Sequence, residues 1–333
     1  MIRYVLRRVL IAVPVLLCAS VLTFTLTTMM GDPLAEWKAQ RARAPEEVAS
    51  QYHRIGWDRS PVERYVGWAE GFVTGDWGHT IIPGDGDVAV RPEIFRALGV
   101  TLKLVLVAEV LALLIGVAIG VVGAVRQYSR FDYAATGVAF VMFSMPLFCI
   151  AVILKAGGIT LNNGLEDAGL GRWIVTAGPP PGGFGGGGVG HLLYQYSGAY
   201  LLPVLSLIAV QFALYSRFQR ASMLDALNAD YVRTARAKGL TPARVVVRHA
   251  LRNGLIPVVT VFALDLGVLL GGAVITETVF GWRGMGLLIV QNIEHKEPWM
   301  VQGWMMVTAV VIVAFNLLAD VVYAYLDPRI RLG

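Results

Sequence analysis

Basic side chains that could bind an acidic partner are concentrated in one stretch of this sequence, residues 217–257. The stretch is polar and lies between two strongly apolar runs. The last six of its eight Lys and Arg residues are Arg233, Arg236, Lys238, Arg244, Arg248 and Arg252. Apolar side chains alternate with them at Tyr231, Ala235, Leu240 and Val245 to Val247. This composition is typical of an amphipathic helix that lies in a groove of a partner. Charge alone, however, fits equally well a positive loop on the inner face of any membrane protein.

The local sequence predicts two helices with a short break between them. Arg217 to Lys238 contains neither Pro nor Gly and consists largely of good helix formers. Gly239 follows at the position where a left-handed residue ends a helix. Thr241 is suited to the N-cap of the next helix and Pro242 to its first turn. We therefore predict a helix that ends at Gly239 and a second helix that begins at Pro242.

A second group of reactive side chains lies inside apolar runs, where ionisable groups are costly and often functional. Its members are Glu109, Lys155, Asp265 and Glu277. Asp265 lies in the middle of its run, and we expect it to make a hydrogen bond between helices or subunits and not to relay protons. Lys155 and Glu277 lie near run ends, where their charged groups can reach the interface. With Gly271 and Gly272, which allow close approach of another backbone, Asp265 and Glu277 form our candidate set for helix packing or a translocation path.

The sequence carries no recognisable catalytic or metal-binding motif. It lacks the phosphate-binding pattern G-x-x-x-x-G-K-[ST] and the nucleophile pattern G-x-S-x-G. Its five histidines are scattered, and its two cysteines lie in separate apolar runs. We therefore expect a chain that is not an enzyme and binds no cofactor or metal of its own.

Composition and hydropathy indicate an all-α polytopic membrane protein. The 333 residues are 56% apolar and 15% charged, and the mean hydropathy is +0.61. The first apolar run lacks a small-residue cleavage site, so we interpret it as a span and not as a signal peptide. Six runs are long enough to cross a bilayer: Val9–Gly31, Leu98–Val125, Tyr133–Ile159, Leu192–Ser216, Gly254–Thr278 and Trp299–Leu318.

The distribution of charge predicts the orientation of these six spans. With six spans, the N-terminus, residues 126–130, residues 217–252 and the tail share one side, and together they hold 15 Lys and Arg residues. The first loop on the other side, residues 32–96, holds 8 basic and 11 acidic residues. Because basic loops remain in the cytoplasm, we predict that both termini are cytoplasmic.

This topology divides the chain into three parts. Residues 1–31 are the tail and first span, and residues 32–97 form an external loop domain. The Pro and Trp residues of that loop suggest a small ordered cap with short helices. Residues 98–333 form the core, with five spans, a cytoplasmic loop at 217–253 and a C-terminal tail at 326–333. The Gly/Pro-rich stretch 177–190 has no chemistry that we can assign.

Several motifs together resemble one family of transport proteins. Arg233-Thr234-Ala235, then Gly239 and later Ile256-Pro257, resemble the "EAA" loop of ABC importer permeases in the form used by dipeptide and oligopeptide permeases. Arg233-Thr234 replaces the first Glu-Ala of the general pattern, and the Gly-to-Pro spacing is longer. Further matches, which extend the resemblance to nearly the whole chain, are Gly31-Asp32-Pro33, Gly75 to Gly78, Glu277 to Phe280, Gly284 to Gly286 and Asn316 to Arg331.

The resemblance implies the type I importer permease fold and a location in the bacterial inner membrane. It also implies four kinds of partner: a second homologous permease, two cytoplasmic ATPases that bind ATP and Mg, an external solute-binding protein, and a di- or oligopeptide substrate. The ATPase-coupling residues would be Tyr231, Arg233, Thr234, Ala235, Arg236, Ala237, Lys238, Gly239 and Leu240. Import of nickel or another small solute is the main alternative. A secondary transporter, a channel and a membrane scaffold are others.

Overall fold

The fold was described from a computed structural model, which covers residues 2–40, 44–81, 88–178, 189–270 and 273–326. Within these ranges the chain is helical, and the only strand-like pairing is a single bridge between His79 and Ala89. The predicted all-α class is therefore confirmed. The helices are α1 (Ile2–Met29), α2 (Ala35–Gln40), α3 (Pro45–Arg54), α4 (Pro61–Thr74), α5 (Val90–Val125), α6 (Arg130–Ser144), α7 (Leu147–Asp167), α8 (Val189–Asn228), α9 (Asp230–Ala237), α10 (Pro242–Arg244), α11 (Leu251–Gly254), α12 (Ile256–Leu270), α13 (Val274–Phe280), α14 (Met285–Glu294) and α15 (Pro298–Leu326).

Five of these helices are long and apolar enough to span a membrane. The spanning segments are Leu10–Met29, Val90–Val125, Leu147–Asp167, Val189–Asn228 and Pro298–Ala319. A sixth candidate is the pair Pro242–Gly254 and Ile256–Leu269, which is bent by 46°. The polytopic architecture is thus confirmed, whereas the side on which the termini lie stays a prediction.

The predicted span Tyr133–Ile159 is not one continuous helix. Met145 has an extended backbone, with φ −81° and ψ 132°, and it separates α6 from α7. Pro146 causes this break, because its ring disfavours helical backbone in the residue before it. Of the two helices, only α7 is long enough by itself to be a candidate span.

The predicted span Gly254–Thr278 also differs from the structure. Leu255 follows α11 and precedes α12, and α13 begins only at Val274. Gly271 and Gly272 lie outside the described residues, so the close backbone approach predicted there stays a prediction.

The chain forms two compact units. Unit 1 comprises Met1–Thr101, Leu270–Val274 and Arg283–Ala314. Its apolar core contains Trp77, Val90, Ile94, Met285 and Met300. Short helices do form in the loop region, and α4 begins with a complete capping box in which Ser60 and Glu63 bond reciprocally.

Unit 2 comprises Leu102–Leu269, Ile275–Trp282 and Phe315–Gly333. The long helix α8 packs against α6 and α7 within this unit, and it continues into the polar stretch on which the sequence analysis concentrated. The first part of that stretch, up to Asn228, therefore belongs to α8.

Candidate docking segment

The segment from Ala229 to Leu240, here called the docking segment, begins at a break that the sequence did not predict. We expected one helix from Arg217 to Lys238, but Ala229 has φ −72° and ψ 150°, so α8 ends at Asn228 and α9 starts at Asp230. Asp230 favours a helix start because its carboxylate interacts well with the N-terminal dipole. The chain therefore leaves the long helix after Arg217 and Arg220 and before the other six basic residues of the stretch.

One face of α9 is buried in unit 2. Val232 is 0% and Ala235 is 6% exposed, and both belong to an apolar cluster with Met223, Val245 and Ala250. The three-residue spacing of Val232 and Ala235 places them on the same helix face. These two small apolar side chains attach the short helix to the end of α8 and to the segment Val245–Ala250.

The other predicted coupling side chains lie on the opposite, exposed face. Those with exposed positions are Tyr231, Arg233, Thr234, Arg236, Ala237 and Lys238. Tyr231 is 41% exposed, and Arg233 makes only a 3.5 Å contact with Asp230. Thr234 Oγ1 donates to the carbonyl of Asp230 at 2.9 Å. The docking segment therefore presents unshielded positive charge and one aromatic ring to its surroundings.

Gly239 has the left-handed conformation that was predicted. Its φ is +75°, and its N–H donates to the carbonyl of Arg236 at 3.0 Å. Leu240 is half-buried and packs against the same apolar cluster. Thr241 and Pro242 occupy the predicted N-cap and first-turn positions, although the Thr241 side chain makes no capping hydrogen bond.

The chain returns to the core through a tightly packed π-helical turn. Val245–Ala250 is wound as a π-helix, and Val245 and Ala250 are both buried in the cluster. Arg244, Arg248 and Arg252 remain exposed. The basic surface therefore continues from α9 along this returning segment.

A buried ion pair that the sequence analysis missed fixes α8 just before the docking segment. Arg220 on α8 binds Asp132 on α6 with two contacts, Nε to Oδ1 at 2.6 Å and Nη2 to Oδ2 at 2.8 Å. Asp132 also accepts the N–H of Tyr128 at 3.0 Å. The Arg220 guanidinium holds the pKa of the Asp132 carboxyl below its ordinary value. No local signal predicts this pair, because 88 residues separate its members.

A second missed feature is the close crossing of α5 and α8. A Cβ on Gly120 would lie 2.7 Å from both the Ser216 carbonyl oxygen and the Gln219 Cβ, and one on Gly116 would lie 2.7 Å from the Tyr215 Cβ. The two glycines form a G-x-x-x-G pattern within an apolar run, which is a known signal for close helix packing. That signal was present in the sequence and was overlooked in favour of Gly271 and Gly272.

Asp265 lies in a polar cluster between helices of unit 2. Its Oδ2 accepts from Gln211 Nε2 at 3.4 Å and from the Tyr215 hydroxyl at 3.3 Å. The same hydroxyl, which has a single proton to share between the two carboxylates, makes a shorter hydrogen bond to Glu109. The cluster thus joins α5, α8 and α12, as expected of a hydrogen bond between helices.

The two charged side chains that were expected to extend toward the interface both have contacts within unit 2. Glu277 is 0% exposed, so the expectation is wrong for this residue. Lys155 is half-buried, and its Nζ donates to the carbonyl of Val279 at 2.6 Å. For Lys155 the expectation stays a prediction.

Comparison with known proteins assigns this architecture to a family. Residues 113–332 match the family described as binding-protein-dependent transport system inner membrane component, and residues 1–84 match the N-terminal model of the same system. The chain belongs to this family. It is a multi-pass inner membrane protein and a permease-type subunit of an ABC importer, a class that works with ATPases and binding proteins.

Relatives of this permease match it from end to end. It is 38% identical to the oligopeptide transport system permease protein OppB of Mycobacterium tuberculosis, with all of both chains covered. It is 34% identical to the di/tripeptide permease DppB of Pseudomonas aeruginosa and 33% identical to the dipeptide permease DppB of Escherichia coli K12, with 99% of each chain covered.

The solved structure of the MetNI methionine ABC transporter, in inward-facing conformations, supports the fold of this permease. The TM-score is 0.54 at 14% identity, over 70% of this chain and 96% of that chain. At this identity the likeness concerns the fold alone, which is the type I importer permease fold that the sequence motifs implied.

Proposed function

We propose that this permease forms part of the path by which a peptide importer moves di- or oligopeptides across the inner membrane. End-to-end similarity to permeases named for oligopeptide, dipeptide and di/tripeptide transport supports this substrate class. The partners are a second homologous permease, two cytoplasmic ATPases and an external solute-binding protein. The ATPases bind ATP and Mg, whereas this chain catalyses no reaction and holds no cofactor.

We further propose that the docking segment carries the motion of the ATPases into the membrane. Its exposed basic face and buried apolar face suit a helix in a groove of a partner. Val232 and Ala235 attach α9 to α8 and to the π-helical turn Val245–Ala250, so a force on α9 reaches the long helix directly. Rigid movement of α8 then changes access to the path.

Substitution of Gly239 tests the proposed docking. We expect Gly239→Val to reduce co-purification of the ATPases and peptide-stimulated ATP hydrolysis, because a β-branched residue at φ +75° strains the turn by about 1–2 kcal/mol. No atom of the described residues lies within 4 Å of a Cβ placed there, so membrane insertion and pairing with the second permease should persist.

Gly169→Val is the matched control for this substitution. Gly169 has φ +76° and equally open space around its Cβ position, but it follows α7, away from the docking segment in sequence. The Gly169→Val variant should retain ATPase co-purification and peptide-stimulated ATP hydrolysis. If the Gly239→Val permease co-purified with the ATPases and coupled ATP hydrolysis to transport as well as the wild type does, the docking segment would have no part in the mechanism.

The substrate class is tested with the reconstituted importer. Di- and oligopeptides should stimulate ATP hydrolysis and accumulate in the vesicles, whereas nickel should not. Stimulation by nickel alone would favour the metal-importing alternative.

The alternative of a charge-coupled secondary transporter predicts a different outcome for the Asp265→Asn variant. Asp265→Asn retains hydrogen-bonding capacity and should retain most transport if the group only links helices. Loss of transport with intact assembly and intact ATP hydrolysis would favour a charge-dependent step.

A further inference from the structure

An arginine with two buried nitrogen atoms that lack a hydrogen-bond partner among the described residues lies inside the loop region of unit 1. This residue is Arg64, on α4, which is only 9% exposed, and the two atoms are its Nε and Nη1. Its guanidinium carbon lies 4.0 Å above the ring centre of Trp57. An arginine remains charged in proteins, and a buried charge without a partner is costly. The contact with one aromatic face offsets only part of this cost.

Arg64 lines a cavity of about 530 Å³ that is bounded entirely by residues of unit 1. Three arginines and three tryptophans contribute to its wall: Arg54, Arg59, Arg64, Trp68, Trp77 and Trp299. This volume is within the range typical of small-molecule sites, about 300–1,000 Å³. The wall therefore combines three positive charges with flat apolar surface, and it also includes the carboxylates of Glu63 and Asp76.

The carboxylates around Arg64 already have other partners. Glu63 accepts the N–H and the hydroxyl of Ser60, both at 2.9 Å, and Asp76 accepts the N–H of Gly78 at 3.2 Å. Burial raises the pKa of Asp32, but hydrogen bonds from Lys38, Tyr52 and the Leu34 N–H outweigh burial and lower it overall. Acids are thus present nearby, and none of these three hydrogen-bonds to Arg64 in the described part of the chain.

We propose that this cavity binds the carboxylate of a small ligand that carries an apolar group, with Arg64 as the residue that binds the carboxylate. The planar guanidinium fork matches a carboxylate with two parallel hydrogen bonds. The tryptophans offer a surface for the apolar group, which a free inorganic anion would leave unused. For the importer proposed above, the C-terminal carboxylate of a peptide is the ligand that fits, and this identification rests on that proposed function.

Binding to the purified permease complex, without the solute-binding protein, tests the site. The probes are the dipeptide Ala-Phe, its C-terminal amide, 3-phenylpropionate and inorganic phosphate. Binding of each probe is measured by tryptophan fluorescence and by the shift of the thermal unfolding midpoint. We expect saturable binding of Ala-Phe and 3-phenylpropionate and at least roughly tenfold weaker binding of the amide and of phosphate, since a charge-assisted bidentate contact is lost or the apolar contact is missing.

Variants of two arginines of unit 1 separate a binding role from a structural one. Arg64→Gln should weaken binding of both carboxylates roughly tenfold or more, whereas Arg91→Gln, at an exposed position that does not line the cavity, should change it less than about threefold. Without ligand, Arg64→Gln should unfold at the same or a higher temperature, because a buried unpaired charge is removed. If Arg64→Gln does not fold, Arg64→Lys, which keeps the charge and loses the fork, should bind both carboxylates more weakly than wild type.

The outcomes distinguish this site from the proposed function. Binding of 3-phenylpropionate through Arg64 in an importer that does not transport peptides would support the site and overturn the substrate class. Equal binding of Ala-Phe and its amide, phosphate as the preferred probe, or unchanged binding in the Arg64 variants would overturn the site, even if peptides are transported.

Discussion

The ion pair between Asp132 and Arg220 is buried and bidentate, whereas the pair between Asp230 and Arg233 is exposed and has one long contact. The buried carboxylate is 4% exposed and its contacts measure 2.6 and 2.8 Å. The exposed partners are 97% and 70% accessible and 3.5 Å apart. Both pairs belong to unit 2 and use the same residue types.

This difference separates a residue pair that maintains the fold from one that remains available to a partner. A buried pair connects helices that are distant in sequence, and removal of one member leaves an uncompensated charge. An exposed pair within one helix turn contributes little, because water screens both charges. Arg233 can therefore exchange its contact with Asp230 for an acidic group on an ATPase at little cost.

The largest effect is expected where α5 crosses α8 beside the buried pair. Gly120→Leu places a side chain against the Ser216 carbonyl oxygen, 2.7 Å from the new Cβ, and the Arg220 N–H, 2.9 Å away. Because both contacts are to backbone, the helices must separate, at a cost of about 3 kcal/mol or more. The folded fraction in detergent should fall strongly. Gly157→Leu, where nothing lies within 4 Å, should remain folded, and equal behaviour of both variants would contradict the close crossing.

Removal of one partner of the buried pair should have the next largest effect. Arg220→Ala or Asp132→Ala should destabilise the protein by about 3 kcal/mol, the lower end of the range for buried pairs, because Arg220 is 29% exposed. Thermal unfolding of both single variants and the double variant gives the coupling energy. A coupling energy near zero would show that the pair does not maintain the fold.

The buried pair should also make stability depend on pH in the acid range. The pKa of Asp132 is lower in the folded protein, so its contribution is complete above the unfolded pKa of about 3.9 and is lost as pH falls through the lower folded value. The difference in unfolding midpoint between wild type and Asp132→Asn should be constant from about pH 5 to 7 and shrink below about pH 4. A difference that grows on acidification would contradict this assignment.

The smallest effect on stability is expected at the exposed pair. Arg233→Ala should change the unfolding free energy by no more than about 1 kcal/mol, yet it should weaken ATPase co-purification. This loss should be larger at low salt, where ions screen the charge less. Arg236→Ala, on the same exposed face, provides a comparison. A large loss of stability in Arg233→Ala would show that this residue maintains the fold, as the buried pair does.

Local sequence was sufficient for the parts of the candidate site that depend on one or two neighbouring residues. Gly239 was recognised because a left-handed turn favours glycine, and Pro242 because its ring suits a first helical turn. The helix break at Ala229 was missed, since alanine itself favours a helix and the break depends on how α9 packs. The break at Pro146 was missed because a hydropathy window measures only how apolar a stretch is.

The sequence by itself determined the membrane character, the helical class and the family, since these depend on composition, run length and motifs spread along the whole chain. Tertiary structure decided which charged residues are buried. Asp132 and Asp230 are indistinguishable as residue types, and only the packing of α6 against α8 buries one and leaves the other exposed. The two buried nitrogens of Arg64 that lack a partner among the described residues likewise became visible only in three dimensions, because a hydrogen-bond partner and a solvent boundary are properties of the folded chain and not of its sequence neighbours.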